Sequence, residues 1–96
     1  LHESNSAWIW VPEGCAHGNF FLEDSLIEYY CSASYNGDCE AGVSPFAQDI
    51  DWSICDPKIK NLFFDLKDSF ITTSKDVNGH TVSSWLKTAD AVNFKF

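Results

Sequence analysis

The chain has no arginine and no methionine among its 96 residues, and no apolar stretch in it approaches the roughly 20 residues that cross a bilayer as a helix. Six lysines stand against 14 acids, for a formal net charge of −8. Phosphate recognition draws on guanidinium forks and basic patches, and this composition supplies neither. Nucleic acid and anionic membrane are therefore not expected partners. The acids are scattered, which reads as a solvated surface. Starting at Leu1 with no methionine anywhere, the chain implies that an initiator has been removed. The expectation is a cleaved leader and a secreted, extracellular protein. Two further absences bear on metals. There is no C-x2-C pair for zinc and no D-x-D-x-D-G loop for calcium.

What is present is a ring-rich chain of one domain's length: eight Phe, four Trp and three Tyr, 16% aromatic. A chain of this size buries roughly 60–65% of the surface it exposes when unfolded, so its stability margin is thin. Cys15, Cys31, Cys39 and Cys55 form an even set, and two disulfides in an oxidising compartment are expected. Three connectivities are open. The repeated form C-x-x-G at Cys15–Gly18 and Cys39–Gly42, each with a cysteine sixteen residues after its first, is compatible with Cys15–Cys31 and Cys39–Cys55.

The division along the chain is a loose polar segment, 1–6, followed by a single β-rich domain, 7–96. Trp8-Ile9-Trp10-Val11 is β-favouring and is stopped by Pro12 and Gly14. Leu26, Glu28 and Tyr30 alternate with Ile27, Tyr29 and Cys31 as a strand would, although a helical turn near Glu23 and Asp24 is also compatible. Asn36-Gly37 and Asn78-Gly79 are hairpin signals. Ser44-Pro45 offers a helix start, with a short helix expected over 46–53 and ended by Asp56-Pro57. Leu62, Phe64 and Leu66 alternate with Phe63, Asp65 and Lys67; Phe70–Thr73, Thr81–Leu86 and the alternation of Val92, Phe94 and Phe96 add further strands. Together these predict an all-β fold with at most one short helix, a disulfide-stapled Greek-key β-sandwich.

One stretch resembles a known motif. Tyr30-Cys31-Ser32-Ala33-Ser34-Tyr35-Asn36-Gly37 is similar to the folded hairpin of βγ-crystallin Greek-key domains, which has an aromatic, a second aromatic five residues on and a glycine seven residues on. Asp56–Leu62 has the outline of the family's second element without its Ser pair, and Gly79–Trp85 has the Ser pair without the leading acids. Each copy thus departs from the pattern where calcium would bind. The resemblance covers about a third of the chain. It implies a sandwich of the kind seen in lens proteins and in small secreted killer toxins and antifungal proteins. It also implies Cys31–Cys39 nested inside Cys15–Cys55.

No Ser-His-acid or Cys-His arrangement is visible in the spacing, so no catalytic residue is assigned. His2, His17 and His80 read as surface histidines, His80 at a turn. Asp49 and Asp51, with Asp56 nearby, read as solvated acids; paired carboxylates can also serve acid–base hydrolysis or weak calcium binding. Trp8 and Trp10 share one face of a strand. Buried, they pack; exposed, they form a platform for a sugar or a protein. Trp52 and Trp85 are expected in the core. The resulting expectation is a secreted, non-enzymatic binding protein without cofactor or metal, a microbial effector or toxin that meets a protein or carbohydrate partner through Trp8, Trp10 and His80. The alternatives are a small hydrolase using Asp49 or Asp51 with His80, and a calcium-stabilised crystallin-like domain.

Overall fold

The computed structural model describes residues 7–93. Among them lie three α-helices, α1 (Pro57–Leu66), α2 (Ser74–Val77) and α3 (Val82–Trp85), and 3-10 turns at Gly37–Cys39, Lys67–Ser69 and Ala89–Asn93. No strand occurs among the described residues; the one β-type contact is an isolated parallel bridge between Val43 and His80. The expected Greek-key sandwich is therefore corrected to a small helical fold with long irregular segments.

Capping chemistry explains most of the correction. Asp56 does not end a helix; it begins one. Its Oδ1 accepts from the Lys58 amide at 2.7 Å, and Pro57 occupies the first helical position. Proline keeps its predecessor out of the helical region, and an N-cap must lie outside that region, so the same rule marks a start as well as a stop. Within α1, Ile59, Leu62, Phe63 and Leu66 recur at i, i+3, i+4 and i+7, which is the helical period. The two-residue alternation of Leu62, Phe64 and Leu66 coexists with it. Thr73 and Thr81, which favour strands by propensity, act as caps. Thr73 Oγ1 accepts from Asp76 N at 3.2 Å, and Thr81 Oγ1 accepts from Ser84 N at 3.0 Å. Asn78-Gly79 closes α2, with the Asn78 amide group donating to Ser74 O at 2.9 Å. Asn36-Gly37 does turn the chain, but as a 3-10 turn in which Asn36 Oδ1 accepts from Asp38 N at 3.1 Å. Ser44-Pro45 makes a single turn, through Ala47 N to Ser44 O at 3.0 Å, and residues 46–53 form no helix. The expected last strand is a 3-10 turn as far as Asn93, and its Phe94 and Phe96 lie outside the described residues, as do the segment 1–6 and His2.

The core is a ring cluster centred on Phe63, 4% exposed and the one buried hydrophobic side chain among the described residues. Trp52 stacks on it at 4.8 Å between centroids, Phe46 stacks at 6.2 Å, and Phe20, Phe64 and Phe70 surround it at 5.5–5.6 Å. Offset-stacked and edge-on pairs at these distances add to area burial. Phe20 also stacks on Phe70 at 5.7 Å, so it anchors the N-terminal segment to the rest. Lys67 Nζ sits 5.6 Å from the centre of the Phe64 ring and covers the cluster's edge.

Residues 7–42 form no helix or strand apart from the 3-10 turn. Cys15 N donates to Pro12 O at 3.3 Å across a turn in which Gly14 has φ 80°, the left-handed region a glycine enters without steric cost. Trp8 packs on Tyr30 at 5.6 Å, yet they remain 67% and 77% exposed, and Trp10 is 84% exposed. Packing is thus excluded for Trp10 and partial for Trp8, whereas Trp52 joins the core as expected and Trp85 is half-buried. All four cysteines are free thiols, Cys15, Cys31 and Cys39 on the surface and Cys55 half-buried. The expected disulfides, in either pairing, are therefore absent. No helix among the described residues is long and apolar enough to cross a membrane.

Candidate functional site

Two segments distant in sequence meet at the Val43–His80 bridge. The Ser44 amide donates to His80 O at 2.8 Å and the His80 amide donates to Gly42 O at 2.9 Å. Gly79 permits this approach. A Cβ there would lie 2.7 Å from Ser44 N and 3.1 Å from Gly42 O, both backbone atoms with little freedom to move. We expect Gly79→Ala to cost about 1–3 kcal/mol in urea unfolding through overpacking. Gly42→Ala is the control, because a Cβ at Gly42 meets nothing within 4 Å.

The bridge makes one wall of an open cavity of about 460 Å³, lined by Ser44, Phe46, Gln48 and Asp49 on one side and by Val77, Gly79 and Thr81 on the other. That volume lies within the range of small-molecule sites. A smaller hollow of about 220 Å³ lies over the ring cluster beside Trp52 and Lys67.

Asp49 is the cross-link at the larger cavity. Its Oδ1 accepts from Val82 N at 3.0 Å and its Oδ2 from Ser83 N at 2.8 Å. Hydrogen bonding from Ser83, reinforced by Val82, holds its carboxyl below the ordinary value. An ionised carboxylate with both oxygens engaged is a weak base and a good positioner. Asp51 is lowered likewise, first by Ser53, whose amide donates to it at 2.8 Å. Glu40 is lowered chiefly by its hydrogen bond from Lys75, a 2.8 Å ion pair. A depressed carboxylate stabilises the fold above its unfolded value, and that contribution disappears as pH falls through the lower folded value. The stability gap between the protein and Asp49→Asn should therefore close as pH drops below the ordinary Asp value of 3.8, read from melting temperatures across an acid series.

His80 stands at the same junction. Its Nδ1 is 3.1 Å from Ser84 Oγ, and its ring lies 5.9 Å from that of Trp85. The single Ser84 hydroxyl proton is donated to Thr81 O at 3.1 Å. The Ser84 oxygen is thus left to accept from imidazole Nδ1–H, which leaves the lone pair on Nε2. His80 is exposed and sits between two residues of the cavity wall. None of Trp8, Trp10 and His80, the three sequence-derived partner residues, is among the residues that line this cavity. Gln48 and Thr81 line it and carry no motif in sequence; only the bridge brings them together.

Among the described residues no group of three His, Cys, Asp or Glu is placed to hold a metal ion. The crystallin-like geometry is also absent. Tyr30 packs on Trp8 and not over the Asn36-Gly37 turn, and Tyr35 is 80% exposed.

No curated protein and no solved structure matches the chain. A family model described as dTDP-4-dehydrorhamnose 3,5-epimerase matches residues 1–84, that is, 84 of the 96 residues. That match overturns the βγ-crystallin and killer-toxin resemblance, and with it the reading as a non-enzymatic effector or toxin, since the family is one of enzymes. By this match the chain belongs to the dTDP-4-dehydrorhamnose 3,5-epimerase family.

Proposed function

We propose that the chain inverts stereocentres beside the ketone of a dTDP-linked 4-dehydro sugar, with the 460 Å³ cavity as the place of reaction. The family match over residues 1–84 carries this reading. The chemistry needs no redox cofactor. A ketone at C4 acidifies the hydrogens on C3 and C5, because the electrons of a broken C–H bond move into the carbonyl as an enolate. A base removes the proton, and a proton returned to the opposite face inverts the centre.

His80, exposed between the lining residues Gly79 and Thr81 though not itself part of the lining, is the residue suited to be that base. Its Nδ1–H is held by Ser84, so Nε2 presents the lone pair. Asp49 supports it as a positioning residue, by fixing the chain at Val82 and Ser83. The amide of Gln48 and the hydroxyl of Thr81 supply donors for the enolate oxygen, the Thr81 hydroxyl having its own proton to give while it accepts from Ser84 N. No cation lines the cavity, so it suits the sugar ring and leaves the diphosphate outside.

Incubation of the protein with a dTDP-4-dehydro sugar in D2O tests the proposal. Deuterium should enter at C3 and C5, detected by NMR. Failure of either position to exchange faster than in a protein-free control would overturn it.

A further inference from the structure

The hollow over the ring cluster, about 220 Å³, lies beside the larger cavity but has walls of its own. Phe46, Ala47 and Gln48 line both, so residues 46–48 stand between them. Trp52, Phe63, Phe64 and Lys67 line the hollow and not the larger cavity. Trp52 and Phe64 meet at 5.6 Å with their planes 71° apart, so they make a corner and not a closed stack. Phe63 is buried, whereas Phe64 is 42% exposed and Trp52 and Phe46 are half-buried. The cluster is therefore open on this side. A further flat ring laid in the corner lies face to face with one ring and edge-on to the other, the two arrangements aromatic pairs prefer.

Charge sets what that ring carries. Lys67 is the one charged side chain among the described residues that line the hollow, and it is half-buried. Its Nζ lies 5.6 Å from the centre of the Phe64 ring. It takes part in no ion pair among the described residues, although acids outnumber lysines 14 to 6 in the chain. An ammonium held against a ring face and partly withdrawn from water is satisfied by an anion beside that ring. The Gln48 amide adds N–H donors to the wall. One ammonium and one amide match a single carboxylate. A diphosphate draws on several cations or a guanidinium fork, and the hollow has neither. The volume falls below the usual range for drug-sized ligands, about 300–1000 Å³, which restricts the occupant to one ring or two fused ones.

We propose that this hollow binds a small aromatic carboxylate, its ring in the corner of Trp52 and Phe64 and its carboxylate on Lys67 Nζ and the Gln48 amide. The ring completes the open side of the cluster, and the anion supplies the partner that Lys67 lacks. The site is independent of the epimerisation assigned to the larger cavity.

Isothermal titration calorimetry of the whole chain with phenylacetate tests this. One site is expected, with a dissociation constant of about 1 mM or tighter. Phenylacetamide, the neutral counterpart, should bind at least about 10-fold more weakly, because it gives up the charge-assisted contact. Lys67→Gln should weaken phenylacetate binding by a similar factor and leave phenylacetamide unchanged, and that unchanged affinity shows that the variant is folded. Nuclear Overhauser contacts from the phenylacetate ring should reach Trp52 and Phe64. An excess of dTDP should leave phenylacetate binding unaltered. Binding weaker than about 1 mM, equal affinity of the parent and Lys67→Gln for phenylacetate, contacts to other tryptophans only, or displacement by dTDP overturns the proposal.

Discussion

Replacing Phe63 by alanine is expected to cost about 3–5 kcal/mol, the range for deleting a buried aromatic side chain. The loss is unusually concentrated. Phe63 is the single buried hydrophobic residue among those described, and five rings converge on it from four parts of the chain: Phe20, Phe46, Trp52, and the pair Phe64 and Phe70. Removing the central ring leaves those five with partners missing on one side, and dispersion falls steeply across a gap. Small domains have about 5–15 kcal/mol in total, so a parent near the lower end would retain only about 0–2 kcal/mol as Phe63→Ala and be as little as about half folded at room temperature. Urea titration followed by near-ultraviolet circular dichroism reads the effect, because the aromatic signal reports the ring cluster. Phe64→Ala is the informative comparison. Phe64 touches the same cluster but is 42% exposed, and it should cost clearly less. A Phe63→Ala protein within about 1 kcal/mol of the parent would show that the ring cluster does not hold the fold.

Replacing His80 by glutamine should lower kcat for epimerisation about 10²–10⁴-fold, the usual contribution of a positioned acid–base group, with little change in KM. Glutamine retains a donor that can reach Ser84 but has no titratable lone pair, so loss of turnover would reflect proton transfer and not lost packing. Exchange of deuterium at C3 and C5 should fall in parallel with turnover, because both pass through the same enolate. Asp49→Asn should give a smaller loss. The amide keeps one acceptor for the Val82 and Ser83 amides and gives up the charge, and no proton of the substrate passes through it. A His80→Gln enzyme within threefold of the parent would remove His80 as the base and leave the family assignment untouched.

The turning points of the chain are legible as residues, though not always as to kind. Asn36-Gly37, Asp56-Pro57 and Asn78-Gly79 all punctuate the backbone where such pairs are expected to. The segments between the turns are harder, because their period is ambiguous. From 62 to 67 the chain satisfies both a two-residue and a 3.6-residue alternation, since Leu62 and Leu66 belong to both. The Asp56-Pro57 cap decides between them, and it lies outside the window in which alternation is counted. Thr73 and Thr81 mislead for a related reason: their strand propensity is a property of the side chain, while their capping depends on the amide two or three residues ahead. The cysteines suggest bridges by their number alone, and number says nothing about distance.

Net charge, the lack of arginine and the lack of any long apolar run are composition, and the sequence determines them without help from the fold; the local caps and turns depend on neighbours within four residues and are nearly as accessible. The meeting of Gly42–Asp49 with Gly79–Ser83, the central place of Phe63 among equal-looking rings and the exposure of Trp10 were decided by tertiary structure alone. Each depends on groups some tens of residues apart sharing a few ångströms of space, and no local pattern of side chains encodes which of many such meetings buries the most apolar surface at the least backbone cost.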